Sequence, residues 1–234
     1  MNENMLLTAM VVLVSSFNAF ASDLKADLAL GLQALYSNTL SETQVQDKIV
    51  KTLETKAQYE KLIAGFNPTA VKWKKKKFNE PQEFEFASPI QVEGSKSNIV
   101  YGFLYTPDVT AECAQKYKFP GTLIVHHVAE DFSEERKMAE MAVRAYKGVV
   151  LIIYLPEYGP RKDGSDSKTS PFNGNIADFK RGIFQSLVDL RVSYEVLKRV
   201  PMVDPNQMQI GGLSLGAALT ATLAGYDPVF QKNI

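Results

Sequence analysis

The sequence predicts an α/β protein with a mostly parallel sheet flanked by helices, and three observations carry that prediction. From about residue 83 onward, short apolar runs alternate with stretches of helical periodicity, the order of βαβ units. Two runs, Gly121–Val128 and Val149–Pro156, are almost continuously apolar, as strands buried on both faces are. The third observation is a tight glycine turn, Gly212-Leu213-Ser214-Leu215-Gly216, set between an apolar run and a small-residue helical run.

The bulk numbers agree with one sizeable globular domain. The chain has 234 residues, 45% of them apolar and 22% charged, proportions of a folded and not a disordered chain. Lys+Arg and Asp+Glu number 26 each, so no global charge steers the protein to nucleic acid or an acidic surface. The local basic run Lys72–Lys77 is read as a solvated strand or loop face. The single cysteine, Cys113, excludes an internal disulfide and sits in a polar, loop-like stretch, where an inert thiol is expected. There is no Cys/His metal cluster, phosphate loop or dinucleotide fingerprint, so no cofactor is expected.

Taken in order, residues 1–21 look like a secretory signal peptide. Met5–Phe20 is apolar and uncharged and ends on Ala19-Phe20-Ala21, a small-residue cleavage pattern. The opening residues carry Glu3 and no Lys or Arg, so an apolar first helix is the alternative. Cleavage would give an exported protein, periplasmic or extracellular, with no stable membrane anchor. Residues 22–82 form a helical N-terminal region: Leu28, Leu30, Leu32 and Leu35 cluster, Val45, Ile49 and Leu53 fall four apart, and Ser41 with Gln44 has capping-box spacing.

Residues 83–234 form the core. Glu83–Ile90 alternates as a half-buried strand does, and Asn98–Pro107 is a second strand; with no helix between them they form an antiparallel edge. After the Gly121–Val128 strand, Asp131–Tyr146 reads as a helix. Asp131 and Glu134 have capping-box spacing, Met138, Met141, Ala142 and Ala145 line one face, and Gly148 is placed to end it. Val149–Pro156 is the next strand, and a polar loop follows over Glu157–Asn175. Ile183, Leu187, Leu190, Tyr194 and Leu197 then mark a long helix. Gln207–Leu213 is a strand, and Leu215–Gly225 a helix.

The turn between these last two elements spells G-x-S-x-G. A strand-to-helix turn of this kind lifts a serine hydroxyl out of the sheet, and Gly212 and Gly216 keep it tight because side chains there would strike the neighbouring strand and helix. The plainer reading is a glycine-rich turn with a capping serine. If Ser214 is a nucleophile, its tetrahedral intermediate needs two oxyanion donors. The N–H of Leu215, next after the serine, and that of Val128, in the loop after the third strand of the core, are the candidates.

The stretch from about Phe86 to Phe230 resembles the first half of an α/β-hydrolase. Val203–Phe230 is similar to the nucleophile region of the dienelactone-hydrolase and acetyl-xylan-esterase-like branches, and Tyr154–Arg161 to their strand-end loop. The resemblance implies a carboxylic-ester hydrolase acting on a small-molecule ester through an acyl-enzyme on Ser214. The sequence departs from it at His126-His127, where those groups usually have His-Gly, and at Ala217, where a second glycine is common.

A serine nucleophile needs a base, usually histidine, and a group to orient it. The family order puts acid and histidine after the serine, yet the twenty residues after Ser214 hold no histidine and one acid, Asp227, which reads as a helix stop. The two histidines of the chain are His126 and His127. They are candidates for the pocket lining, with a structural role expected: one ring under the loop, the other turned toward the pocket. Arg161 either meets an anionic or sugar substrate or makes a salt bridge within its loop. The resemblance also implies three further strands that the sequence does not supply. The chain therefore reads as the N-terminal part of a longer enzyme, with little or no esterase activity as it stands. Two other readings stay open: a non-catalytic ligand-binding protein on the same fold, and a serine peptidase or acyltransferase, which shares the acyl-enzyme. No nucleic-acid partner is expected, and the oligomeric state is not legible.

Overall fold

A computed structural model describes residues 55–75, 80–128, 132–163 and 176–231. The signal peptide, the helices read within residues 22–54 and residues 164–175 of the polar loop lie outside the described residues.

The chain enters through a helix, α1 (residues 55–64), and a short strand, β1 (Lys72–Trp73). Strands β2 (Gln82–Ala87) and β3 (Ile99–Tyr105) follow, then a short helix, α2 (Ala111–Lys116). The second half alternates β4 (Phe119–Val125), α3 (Ser133–Tyr146), β5 (Val149–Ile153), α4 (Ile176–Lys198), β6 (Val203–Gly212) and α5 (Leu215–Tyr226), and closes on α6 (Pro228–Gln231).

One six-stranded sheet runs in the order β1-β2-β3-β5-β4-β6. The expected parallel arrangement holds for the half that carries the serine turn: β4 is parallel to both β5 and β6. The other half is antiparallel, with β1 on β2, β2 on β3 and β3 on β5. The sheet is therefore mixed, and Lys72–Trp73 forms its outer edge. This part of the basic run is a solvated strand, as expected, and its charges are met across the pair by Lys72–Glu85 and Lys74–Glu83.

The core is organised around β5, whose five residues have no exposed surface. Alternation sends Val149, Leu151 and Ile153 into the larger core, under α1, α4 and α5, and Val150 and Ile152 into a smaller one, under α3. Burying each such side chain contributes about 1.5–3 kcal/mol. In α4, Leu187, Leu190, Tyr194 and Leu197 are buried and Ile183 packs beside them, as their spacing predicts. In α3, Met138 and Ala142 of the expected face pack against the smaller core, whereas Met141 and Ala145 are exposed and Glu135 and Ala139 are buried instead.

Two helix ends also differ from expectation. The N-cap of α3 is Phe132, in the left-handed region at φ 51° with no side-chain cap; its ring packs on His126 and Tyr154, each 4.3 Å away. At the other end Lys147, at φ 55°, takes the left-handed position, and Gly148 follows it with its N–H on the Ala142 carbonyl. The stretch around Cys113, expected as a loop, is the short helix α2, capped by the Thr110 hydroxyl on the Cys113 N–H.

Candidate active site

The carboxyl ends of parallel strands are where this class of sheet presents its chemistry. Here β4 and β6 end side by side, with Val125 paired to Gly212. The Leu213 N–H continues onto the Val125 carbonyl at 3.3 Å. The chain then turns sharply: Ser214 stands at φ 49°, ψ −112°, and α5 begins at the next residue. A non-glycine residue in such a region costs on the order of 1–3 kcal/mol and persists only where its surroundings impose it.

What imposes it here is the close approach of both glycines to β4. A Cβ on Gly216 would stand 2.1 Å from the Val125 carbonyl oxygen and 2.9 Å from that of His126. One on Gly212 would meet the Val125 oxygen at 2.7 Å and the Gly216 carbonyl carbon at 2.6 Å. No side chain fits either gap, so the two glycines allow α5 to lie against the strand. The turn is closed by the Gly216 N–H on the Leu213 carbonyl at 2.8 Å and the Ala218 N–H on that of Ser214 at 3.1 Å. Ser214 itself is exposed, and Leu215 opens the helix behind it, its N–H in the first turn.

Next to this turn, the chain leaves β4 through His126, His127 and Val128. His126 has no exposed surface. Its Nε2 accepts from the Leu155 N–H at 3.0 Å, and its Nδ1 bonds the His127 carbonyl. A ring that accepts at Nε2 and donates at Nδ1 is the neutral tautomer. Burial enforces the same state, pushing the imidazole down to about 4. Stacking on Phe132 at 4.3 Å and edge contact with Tyr158 at 4.8 Å complete its enclosure. His126 is thus not part of a pocket lining; it ties the β4 exit to the β5 exit.

His127 is different. Its side chain is 24% exposed, and one oxygen of Glu135 accepts from both its backbone N–H, at 2.9 Å, and its ring Nδ1, at 2.7 Å. Glu135 is fully buried on α3, and its second oxygen has no partner among the described residues. Val128 follows, 54% exposed. With the His127 N–H taken by Glu135, the Val128 N–H is the next donor along this loop.

Arg161 lies in the loop after β5 and has no exposed surface. Its Nη2 bonds Asp189 at 2.7 Å and the Ser97 carbonyl at 2.5 Å, and its Nη1 bonds the Tyr154 carbonyl at 2.7 Å. Asp189 also accepts from the Ser88 hydroxyl at 2.6 Å. Of the two roles open to Arg161, the structure gives the ion pair; no surface of the side chain is left for a substrate. Asp227 ends α5, as its Asp-Pro spacing predicts, and also accepts from Tyr59 at 2.8 Å and Arg191 at 2.9 Å.

Sequence reasoning missed Glu135 and Asp189. Glu135 lies four residues before Ala139, on the face that α3 buries. An acidic residue on an inward face is the available signal, because a carboxylate is buried only with partners.

No family model matches this sequence, and no curated protein matches it. Solved structures do. Acetyl xylan esterase 1 from Thermoanaerobacterium superposes with a TM-score of 0.54 at 15% identity, covering 76% of this chain and 55% of its own. An acetyl xylan esterase from Paenibacillus gives 0.52 at 15% identity, covering 75% and 55%. The chain therefore spans just over half the length of these neighbours. With the mixed sheet, the helices on both faces and the serine turn at the end of β6, the chain has the α/β-hydrolase fold.

Proposed function

We propose that this protein is a serine hydrolase that cleaves a small carboxylic ester through an acyl-enzyme on Ser214. The observation that carries this reading is the backbone of Ser214. It is a strained, non-glycine residue on a turn whose two glycines leave no room for any side chain. In this reading the Ser214 hydroxyl oxygen attacks the ester carbonyl, and the Leu215 and Val128 N–H groups hold the oxyanion. The names of the structural neighbours support an ester as substrate. The same acyl-enzyme would serve a peptidase or acyltransferase, and nothing in the described residues favours either. The export read from residues 1–21 belongs to this proposal.

The competing reading is a binding protein that keeps the cleft without the chemistry. What favours it is the commitment of His126 to structure. The test is hydrolysis of p-nitrophenyl acetate by the chain and by Ser214→Ala. Slow turnover that the substitution abolishes supports the esterase reading. Equal rates in the two proteins would remove it.

A further inference from the structure

Two carboxyl groups of the loop after β5 meet on one short turn. The turn is the single 3₁₀ helix Lys96–Asn98, which leads into β3. Asp163 accepts there from the Ser95 hydroxyl at 2.6 Å and from the Lys96 N–H at 2.5 Å. Glu157 reaches the same turn at buried Ser97, whose hydroxyl oxygen lies 3.2 Å from Oε1 and accepts from the Glu157 N–H at 3.0 Å. The other oxygen of Glu157, Oε2, accepts from the Asp163 N–H at 3.4 Å. The two carboxyl groups also share a hydrogen bond with each other.

An ionised carboxylate only accepts, so a hydrogen bond between two carboxyl groups needs a proton on one of them. The surroundings decide which. Asp163 is exposed and has two donors aimed at it, which suits the charged form. Glu157 is half-buried with the Asp163 charge beside it, which suits the neutral form. Burial, foremost, and that charge hold Glu157 above the usual carboxylate range. Burial works the same way on Asp163, but the Ser95 hydroxyl, the Lys96 N–H and the Glu157 side chain outweigh it and hold Asp163 below that range. Residues 93–98 also bring the charges of Glu93 and Lys96 to this region, and residues 157–163 those of Arg161 and Lys162. Lys96 acts on Asp163, and the Arg161 guanidinium is turned to Asp189.

We propose that Glu157 and Asp163 share one proton as a pH-sensitive latch, which holds the loop after β5 on the 96–98 turn in mild acid and releases it as the pH rises. Loss of the proton removes the hydrogen bond between the carboxyl groups and leaves two negative charges in contact. The backbone adds to the release. Glu157 stands at φ 65°, in the left-handed region, where a non-glycine residue stays only while its surroundings impose it. The Glu157 contribution is complete below the ordinary glutamate value, 4.5, and is lost as pH rises through the raised value of the folded state. Asp163 sets the lower limit: its contribution is present above the ordinary aspartate value, 3.8, and is lost as pH falls through its lowered one. The latch lies beyond the carboxyl end of β5, on the same side of the parallel strands as the serine turn. It does not depend on the reading of Ser214 as a nucleophile.

The experiment is amide hydrogen exchange of the full chain, followed by NMR over about pH 5 to 8 and read as protection against the unstructured rate. The Lys96 N–H, which Asp163 binds, reports the latch. The Leu151 N–H, in the middle of β5, is the control for opening of the whole fold. Lys96 protection in the wild type is expected to fall with rising pH, by about tenfold for each unit by which Glu157 is raised. Glu157→Gln keeps an acceptor for Ser97 and offers Asp163 an N–H that does not titrate, so its Lys96 protection is expected to stay high and flat. A flat wild-type profile, or a Glu157→Gln profile that falls as the wild type does, overturns the proposal. Should the variant fail to fold, the carboxyl carbon shift of Glu157 in the wild type decides: a midpoint above the ordinary glutamate value supports the latch, and one at or below it overturns it. Fluorophosphonate labelling of Ser214 bears on the nucleophile alone, so the two readings fail separately.

Discussion

The loops that leave β4 and β5 start from neighbouring parallel strands, and both are rich in polar side chains, yet they are put to opposite uses. After β5, the polar groups of the described residues are spent on the protein itself. Arg161 is divided among Asp189, Ser97 and Tyr154, Glu157 accepts from Ser97, and Asp163 accepts from Ser95 and the Lys96 N–H. Burial keeps Glu157 above the usual carboxylate range, whereas bonds from Ser95 and Lys96 hold Asp163 below it. After β4, His126 is spent in the same way, but the next two residues are not: His127 keeps a ring nitrogen and Val128 is half exposed. The lesson is that a polar residue at the active edge of a sheet is a functional candidate for what its neighbours leave unbonded. Residue type and position alone put Arg161, His126 and His127 on the same footing.

The contrast can be broken most forcefully at Asp189. Asp189→Ala leaves the Arg161 guanidinium buried without its counter-ion, which costs about 3–5 kcal/mol. At roughly 2–4 °C per kcal/mol for a chain of this size, a differential scan should show a loss of about 6–20 °C. The Ser214 labelling rate per folded molecule should not change. A variant that melts like the wild type would mean that the loop after β5 is not held by this pair.

Acid should expose the cost of His126. Its folded-state value, about 4, lies below that of the unfolded chain, near 6.5. The unfolded state therefore binds more protons between those values, and stability is present above about pH 6.5 and lost as pH falls toward 4. The loss is on the order of 3 kcal/mol. Urea unfolding of wild type against His126→Asn should show this slope in the first and its absence in the second. Identical slopes would contradict the buried, neutral assignment.

Gly216→Ala sharpens the comparison from the other side. Its Cβ would meet backbone at 2.1 Å, so β4 and α5 must move apart, at about 1–3 kcal/mol. Urea unfolding measures the cost. Ser214 labelling should fall as well, since the β4 exit shifts from the serine turn. A neutral substitution would show that the close approach is not required.

Most of the fold was legible because its signals are local. The continuous apolar runs gave β4 and β5, the spacing of Leu187, Leu190, Tyr194 and Leu197 gave α4, and the glycines on either side of Ser214 gave the turn. The short strand Lys72–Trp73 was read only as a solvated strand or loop face, because a two-residue edge strand has no periodicity and depends on its partner β2. The inner face of α3 was legible at Met138 and Ala142 but not at Met141 and Ala145, which match an apolar pattern yet are exposed, nor at Glu135, which the helix buries against that pattern. At the site, Ser214, Leu215, Gly212 and Gly216 follow from the turn's own chemistry. The division of labour between His126 and His127 does not, because it is set by Leu155 and Glu135, residues distant in sequence or on another element.

The central claim is that Ser214 is an activated nucleophile. The most direct measurement is mass spectrometry of the chain after exposure to a fluorophosphonate at neutral pH, with peptide mapping of the adduct. The account predicts a single adduct on Ser214, formed faster than on other serines and slowed by a competing short-chain ester. Absence of an adduct on Ser214, or an adduct spread over surface serines at similar rates, would contradict it.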